Sequence, residues 1–241
     1  MTEAVIAELA PTGTLRAAIN MGNFLLVTGT APSGDPEGVA PDMARAVADR
    51  LGVPVSYVPF ASPGELVDAA GTDVWDIGLV GAEPAREKLM GFTAAYAEIL
   101  ATYIVPTDSP LTTVDEVDCD GTRVIVRERA AYGLYLARSL MHAELVGTDT
   151  HDEACRRFID EKFDALAGLR SGLLADAEKM AGVRVLDGGF TSVQQAVGTL
   201  KQNEAAIAFL SDFVEEAKTS GLIQRLIDKH KVRGLTVAPP A

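Results

Sequence analysis

The sequence predicts an α/β protein, because strand-like and helix-like segments alternate along most of the chain. Short apolar runs are followed by longer segments with apolar residues at helical spacing, and glycines and prolines separate them. Two such runs lie on either side of a polar stretch at residues 107–121, which is expected to connect them. The 241 residues suffice for one large domain or for two lobes.

The first run predicts strands that alternate with two helices. Its longer helix begins at Pro41 and ends before Gly52, with Met43, Val47 and Leu51 on one face. The other elements expected here are strands at 15–19, 53–60, 74–81 and 101–106, a loop at 30–38 and a short helix at 62–70.

The second run repeats this alternation and leads into two C-terminal helices. The first of these has Ile207, Leu210 and Val214 on one face, and the second follows Gly221. Periodicity does not say which run these two helices join. The remaining elements expected are strands at 122–126, 144–148 and 163–169, helices at 130–145 and 152–161, and an extended segment at 183–198.

Composition excludes several classes of partner. The chain carries 34 acidic and 21 basic side chains, for a formal net charge of −13. This charge argues against nucleic acid and against an anionic membrane surface as partners.

No segment approaches the roughly 18 apolar residues of a membrane span. The N-terminus has acidic residues and no basic region, so it is no secretory signal. The protein is therefore expected in the cytoplasm if Met1 is native, and otherwise derives from a trimmed precursor.

Cofactor and metal chemistry are not expected either. Cys119 and Cys155 are far apart and in no CxxC or zinc-finger pattern, and the three histidines lack H-E-x-x-H spacing. No phosphate-binding loop, dinucleotide fingerprint or Ser/His/Asp set is recognisable. The sequence therefore predicts a protein without cofactor or metal that is not an enzyme.

Four segments in order resemble one protein family. They are GTLRAAIN with GVAPDMARAVADRLGVPVSYVPF, VWDIGLVGAEPAREKLMGFTAAYAE, FDALAGL, and FVEEAKTSGLIQRLIDKH. Together they resemble the type II periplasmic solute-binding proteins of family 3, which bind polar amino acids for ABC transporters. The resemblance implies two lobes joined by two crossing strands, with residues 13–104 and 199–241 in lobe 1 and 105–198 in lobe 2. It also implies hinge closure near 104–106 and 195–198 on a small solute.

Arg86 is the principal candidate for contact with that solute. It precedes Phe92 by six positions, as the carboxylate-binding arginine of the family precedes its Phe-Thr pair. A guanidinium can pair with a carboxylate through two parallel hydrogen bonds. The alternative is an exposed arginine at a helix start, between Glu83 and Glu87.

The second lobe departs from the amino-acid binders. Where they place an aspartate for the solute's ammonium group, this chain has Leu169 and Arg170. Arg170 is expected either to bind a second anionic group or to lie on the surface. Further candidate ligand-binding residues are Asn20, Asn23, Gly81, Glu83, Tyr132 and Gln194. The asparagines could instead form turns, and Tyr132 could instead pack within its helix.

The predicted function is a monomeric solute-binding protein for a small carboxylate-bearing solute, either amino-acid-like or another organic acid. Its expected partner is the membrane component of an ABC transporter, and the resemblance implies a periplasmic location if the chain derives from a trimmed precursor. Two alternatives stay open. One is a cytoplasmic dehydratase-like enzyme of the same fold, with Glu83 as the acid, and the other is a ligand-sensing module.

Overall fold

The computed structural model describes residues 3–241 and contains two compact units. Residues up to Glu98 together with Gln194–Ala241 form unit 1, and Ile99–Val193 form unit 2. The α/β class is confirmed. The lobe boundaries expected from the resemblance, after residues 104 and 198, stay a prediction. The chain passes from one unit to the other within two continuous strands, so no loop marks either boundary.

The strands are β1 (Leu15–Asn20), β2 (Gly29–Thr30), β3 (Pro36–Glu37), β4 (Val55–Phe60), β5 (Ile77–Gly81), β6 (Met90–Phe92), β7 (Ala97–Pro106), β8 (Arg123–Arg127), β9 (Glu144–Thr148), β10 (Ala165–Leu169), β11 (Val183–Val185), β12 (Thr191–Leu200) and β13 (Thr236–Val237). The α-helices are α1 (Glu3–Leu9), α2 (Val39–Leu51), α3 (Pro63–Asp68), α4 (Ala131–Ser139), α5 (His151–Asp160), α6 (Arg170–Ala177), α7 (Glu204–Thr219) and α8 (Leu222–Lys229).

Unit 1 is built on a sheet in the order β4-β1-β5-β12. β1 runs parallel to both β4 and β5, and β12 lies antiparallel to β5. Helices α7 and α8 belong to this unit. Periodicity alone does not assign these two C-terminal helices to either run. Trp75 belongs to its core and donates its indole N–H to the carbonyl oxygen of Leu66 at 3.2 Å.

Helix α2 begins two residues before the expected Pro41, because Gly38 allows a close approach of the chain. The backbone of Gly38 has a φ of 148°, and a Cβ there would come within 2.2 Å of the carbonyl oxygen of Leu26. The expected loop at 30–38 contains the two-stranded ladder of β2 and β3. Gly52 ends α2 in the left-handed conformation, as predicted.

The N-terminal helix α1 is absent from the sequence-based expectations. Val5 and Leu9 are its buried residues, and the helix packs on α7. The Glu8 carboxylate accepts the backbone N–H of Ala206 at 2.7 Å, in the first turn of α7. Asn203, the residue at the start of α7, makes no side-chain capping bond, so Glu8 supplies that partner from a distant segment.

In unit 2 the strands follow the order β7-β10-β8-β9. β8, β9 and β10 are parallel, whereas β7 is antiparallel to β10. The polar stretch 107–121 lies inside this unit and includes a short 3-10 helix, Asp115–Val117, so the expected connection between the runs is not found there. The Asp118 carboxylate of this stretch accepts the backbone N–H groups of Met141, His142 and Ala143.

These Asp118 contacts explain why α4 ends at Ser139 and does not continue to residue 145. They hold residues 141–143, which come after Leu140 at the helix end, in a non-helical turn leading to β9. The core of unit 2 lies between this sheet and α5 and α6. It comprises Ile104, Ile125, Ala154, Phe158, Phe163, Leu166 and Leu173.

Within the described residues, none of the helices combines the length and the apolar character needed to cross a bilayer.

Candidate functional site

The carboxyl ends of the parallel strands β1 and β5 meet at one edge of the unit 1 sheet. The register pairs Ile19 with Leu79, so Asn20 reaches the level of Val80, and Gly81 lies one residue beyond. In α/β sheets, ligands bind at such carboxyl ends. We refer to the ends of these two strands and the loops that follow them, residues 20–28 and 81–89, as the carboxyl edge of unit 1.

Arg86 lies in the loop that follows β5 and is held down at the strand end. Its Nη1 donates a hydrogen bond to the carbonyl oxygen of Gly81 at 2.5 Å. Its backbone N–H donates to the carbonyl oxygen of Glu83 at 2.8 Å, which closes a turn. Only 4% of Arg86 is exposed, so the alternative of an exposed arginine at a helix start is wrong. The guanidinium is fixed in position by the backbone at the carboxyl edge.

Glu83 and Gln194 lie at the same edge. Glu83 is buried, one turn before Arg86. The antiparallel register of β12 places Gln195 beside Gly81, and the carbonyl oxygen of Gln194 accepts the N–H of Ala82 at 2.7 Å. Gln195 is buried and Gln194 is half-buried. A carboxylic acid and an amide therefore accompany the arginine in this region.

Asn20 and Asn23 follow β1 and form turns with their side chains. The Oδ1 atom of Asn20 accepts the N–H of Gly22, and that of Asn23 accepts the N–H of Leu25, each at 3.2 Å. The turn-forming alternative is therefore observed for both, and their contact with a solute stays a prediction. Phe24, between these turns, is 51% exposed and was not among the expected site residues. Its signal in the sequence is an aromatic residue in the loop after β1, four residues beyond Asn20.

The structure places Arg170 and Tyr132 in unit 2, whereas the other candidates belong to unit 1. Arg170 opens α6, and its Nη1 donates to the carbonyl oxygen of Leu186 at 2.6 Å. Its Nη2 lies 3.3 Å from a carboxylate oxygen of Asp187. Tyr132 is buried in α4, and this burial raises the pKa of its hydroxyl to about 12. Packing within the helix, the alternative for Tyr132, is therefore observed.

Unit 2 also contains groups that the sequence interpretation missed. The ring of Phe190 lies between Tyr103 and Tyr135, with centroid distances of 4.5 Å and 6.0 Å. Among the described residues, the one group of three or more potential metal ligands is His151, Cys155 and Asp176, whose ligand atoms all lie within 4.8 Å of one another.

Comparison with protein families gives one match. A model of the bacterial extracellular solute-binding proteins, family 3, matches residues 25–232. No curated protein sequence matches the chain.

Solved structures share the fold at low sequence identity. A mutant of ArgBP from T. maritima is 21% identical, with a TM-score of 0.73 over 95% of this chain and 100% of that one. The cysteine-binding protein from Campylobacter jejuni is 15% identical, with a TM-score of 0.74 over 99% and 100%. The ancestral amino acid-binding protein AncCDT-1, a precursor of cyclohexadienyl dehydratase, is 20% identical, with a TM-score of 0.72 over 93% and 97%.

Proposed function

The chain belongs to the bacterial extracellular solute-binding proteins, family 3, and from this premise we propose that it binds a small carboxylate-bearing solute through Arg86 at the carboxyl edge of unit 1. The family match confirms the resemblance predicted from the sequence. The observation that carries the proposal is the position of Arg86, buried and anchored to the end of β5 beside residues of β1 and β12.

The chemistry of the guanidinium favours a carboxylate. A planar guanidinium offers five N–H donors, and two of them match the two oxygens of a carboxylate. The hydrogen bond from Nη1 to the carbonyl oxygen of Gly81, together with burial, restricts the movement of this group before a solute arrives. Fixing a charged donor in advance reduces the entropy that a solute must lose on binding.

The solute is proposed to be amino-acid-like or another small organic acid. Structural relatives include a cysteine-binding protein and a complex with lysine, and amino-acid-like solutes follow from that similarity. One feature argues against a free amino acid as the solute. The family's aspartate for the ammonium group is missing from unit 2, because Leu169 and Arg170 occupy the matched position. An ammonium group that leaves water without a carboxylate partner loses binding free energy.

We propose further that the protein binds its solute without transforming it, as a monomer that delivers the solute to the membrane component of an ABC transporter. Hinge closure near 104–106 and 195–198 stays a prediction.

One observation favours an alternative function: Glu83 is a buried carboxylic acid next to Arg86, as a dehydratase-like enzyme requires. A ligand-sensing role is a further alternative, since a histidine kinase sensor domain shares the fold.

The test is a thermal-shift screen of the purified chain against amino acids, monocarboxylates, dicarboxylates and aromatic acids. A solute at a hundredfold its dissociation constant stabilises the folded state by about 2.7 kcal/mol, which shifts the midpoint by about 5–11 °C. We expect at least one carboxylate to give such a shift and to be recovered chemically unchanged. Conversion of the bound acid by wild type, abolished by Glu83→Gln, would support the enzyme instead. The same screen is run with amines and uncharged solutes that lack a carboxylate, and binding of these alone would contradict carboxylate binding.

A further inference from the structure

Helices α5 and α6 bring three side chains with metal-binding chemistry together in unit 2. His151 and Cys155 lie four residues apart on α5, so their side chains project from one face on successive turns. Asp176 comes from the last turn of α6. Both helices pack on β10, which fixes their positions relative to each other. The sequence interpretation found no Cys/His metal pattern, although the spacing of four between His151 and Cys155 was visible.

The three ligand atoms lie close together. His151 Nε2 is 2.8 Å from Asp176 Oδ2, Cys155 Sγ is 3.4 Å from His151 Nε2, and Cys155 Sγ is 3.9 Å from Asp176 Oδ2. In a tetrahedral zinc site, the usual metal–ligand distances place pairs of N, O and S ligands about 3.4–3.6 Å apart. The three observed distances bracket this range. Small side-chain rotations therefore suffice to place a zinc ion between the three atoms.

The surroundings of the cluster suit a cation. Asp152 and Asp176 both act on Cys155 as nearby negative charges, and Lys179 opposes them. All three ligand residues are half-buried, so the cluster is shielded from solvent but remains reachable. Gly168 of β10 makes room for the imidazole, because a Cβ there would lie 3.3 Å from His151 Cε1.

Nucleophilic chemistry is a poorer explanation for the same residues. Burial, with the negative charges of Asp176 and Asp152, raises the pKa of the Cys155 thiol to about 12. A thiol that stays protonated at neutral pH is a weak nucleophile, and activated cysteines have pKa values well below the ordinary one. A cysteine, a histidine and a carboxylate within ligand distance of one another are instead a usual donor set for zinc.

We propose that His151 Nε2, Cys155 Sγ and the Asp176 carboxylate form a binding site for Zn²⁺. Binding displaces the thiol proton into solvent, and the imidazole proton that Nε2 shares with Asp176 is carried by Nδ1 instead. Three protein ligands leave the fourth position of the tetrahedron for water or an external donor. The ion would join α5 to α6 within unit 2, and this inference does not depend on the solute-binding proposal.

The test uses Co²⁺ as a spectroscopic substitute for Zn²⁺ on the full chain under reducing conditions. We expect a thiolate-to-cobalt charge-transfer band in the near ultraviolet and visible bands of tetrahedral intensity, both removed by stoichiometric Zn²⁺. Cys155→Ser should abolish the charge-transfer band, and Asp176→Asn and His151→Gln should each weaken the affinity at least tenfold. The matched control is Cys119→Ser, which removes the other cysteine and should leave the spectrum unchanged.

A measurement on the unmodified chain keeps the proposal testable if a variant fails to fold. Alkylation of the protonated Cys155 thiol by iodoacetamide is slow, so it is followed by peptide mass spectrometry over a long time course at alkaline pH, where Zn²⁺ should slow it at least tenfold. The alkylation of exposed Cys119 in the same sample should not change. The proposal is overturned if neither cobalt bands nor protection of Cys155 is observed, or if the bands survive Cys155→Ser and vanish with Cys119→Ser.

Discussion

The guanidinium of Arg86 is bonded to the carbonyl oxygen of Gly81, five residues earlier, at an Nη1–O distance of 2.5 Å. This bond ties the most important candidate side chain to the last residue of β5. An arginine held by a strand end moves little, so its remaining donors keep a constant direction. Recognition of a carboxylate through two hydrogen bonds depends on this constancy.

Replacement of Arg86 by lysine tests the paired hydrogen bonds and keeps the charge. We expect Arg86→Lys to weaken the affinity for the carboxylate found in the screen at least tenfold, because lysine cannot present two coplanar donors. Isothermal titration calorimetry measures the affinity, and circular dichroism checks the fold. The matched control is Arg50→Lys in α2, where the exposed arginine pairs with Glu216. Equal affinities for wild type and Arg86→Lys would remove Arg86 from the site.

Arg170 allows a prediction that separates its two expected roles. Its guanidinium donates to the carbonyl oxygens of Leu186 and Gly188 and pairs with Asp187. We expect Arg170→Gln to lower the free energy of unfolding by about 1–2 kcal/mol, since it releases this loop from α6. Urea denaturation gives that value. The affinity for a monocarboxylate should not change, whereas a selective loss of dicarboxylate binding would assign Arg170 to the solute.

Asp42 joins α2 to α8 and should make the stability of unit 1 depend on acid pH. Its Oδ2 lies 2.6 Å from Lys229 Nζ and 2.7 Å from His230 Nε2. Burial opposes ionisation of this carboxyl, but the hydrogen bonds from Lys229 and His230 outweigh it and lower its pKa. A carboxyl with a lowered pKa stabilises the folded state at neutral pH. This contribution disappears as the pH falls below the unfolded value of about 4 and through the folded pKa.

The variant Asp42→Asn should therefore unfold more easily at pH 7 and lose less stability than wild type on acidification below pH 4. Thermal unfolding followed by circular dichroism between pH 7 and pH 2.5 measures both effects. Asp49→Asn, an exposed position of the same helix, is the control and should follow wild type. If the two variants show the same acid dependence, the contacts of Asp42 do not affect stability.

Elements with strong periodicity could be predicted from the sequence, and contacts between distant segments could not. Helix α7 and strand β10 lie close to where their apolar patterns place them. The end of α4 depends on Asp118, and the start of α7 depends on Glu8, each from a remote part of the chain. Neither contact has a local signal in the sequence, so the end of α4 at Ser139 could not be predicted from it.

The candidate site shows the same difference between features with a local sequence pattern and features that depend on distant contacts. The family motif located Arg86, but its acidic neighbours Glu83 and Glu87 made exposure the default alternative, and only the fold shows that the arginine is buried. The metal cluster joins a visible i,i+4 pair on α5 to Asp176 on another helix, a neighbour that periodicity cannot supply.

Gly38 offers a final prediction, about the start of α2. An added Cβ would come 2.2 Å from the carbonyl oxygen of Leu26 and 2.8 Å from Val27 Cα, both backbone atoms that cannot rotate away. Gly34, in the β2–β3 turn, also has a positive φ, of 91°, but a Cβ there would meet nothing within 4 Å. Gly34→Ala therefore carries backbone strain alone, of about 1 kcal/mol.

We expect Gly38→Ala to destabilise the protein by at least about 3 kcal/mol, since it adds a clash between backbone segments to the same kind of strain. Urea denaturation of the two variants side by side gives the difference. Equal losses would mean that the segment around Leu26, which follows Asn23 and Phe24 at the carboxyl edge, can move away without cost. That result would also show that this loop is too mobile to hold a solute in one position. The hydrogen bond of Arg86 to Gly81 would then be the remaining contact that keeps the candidate site rigid.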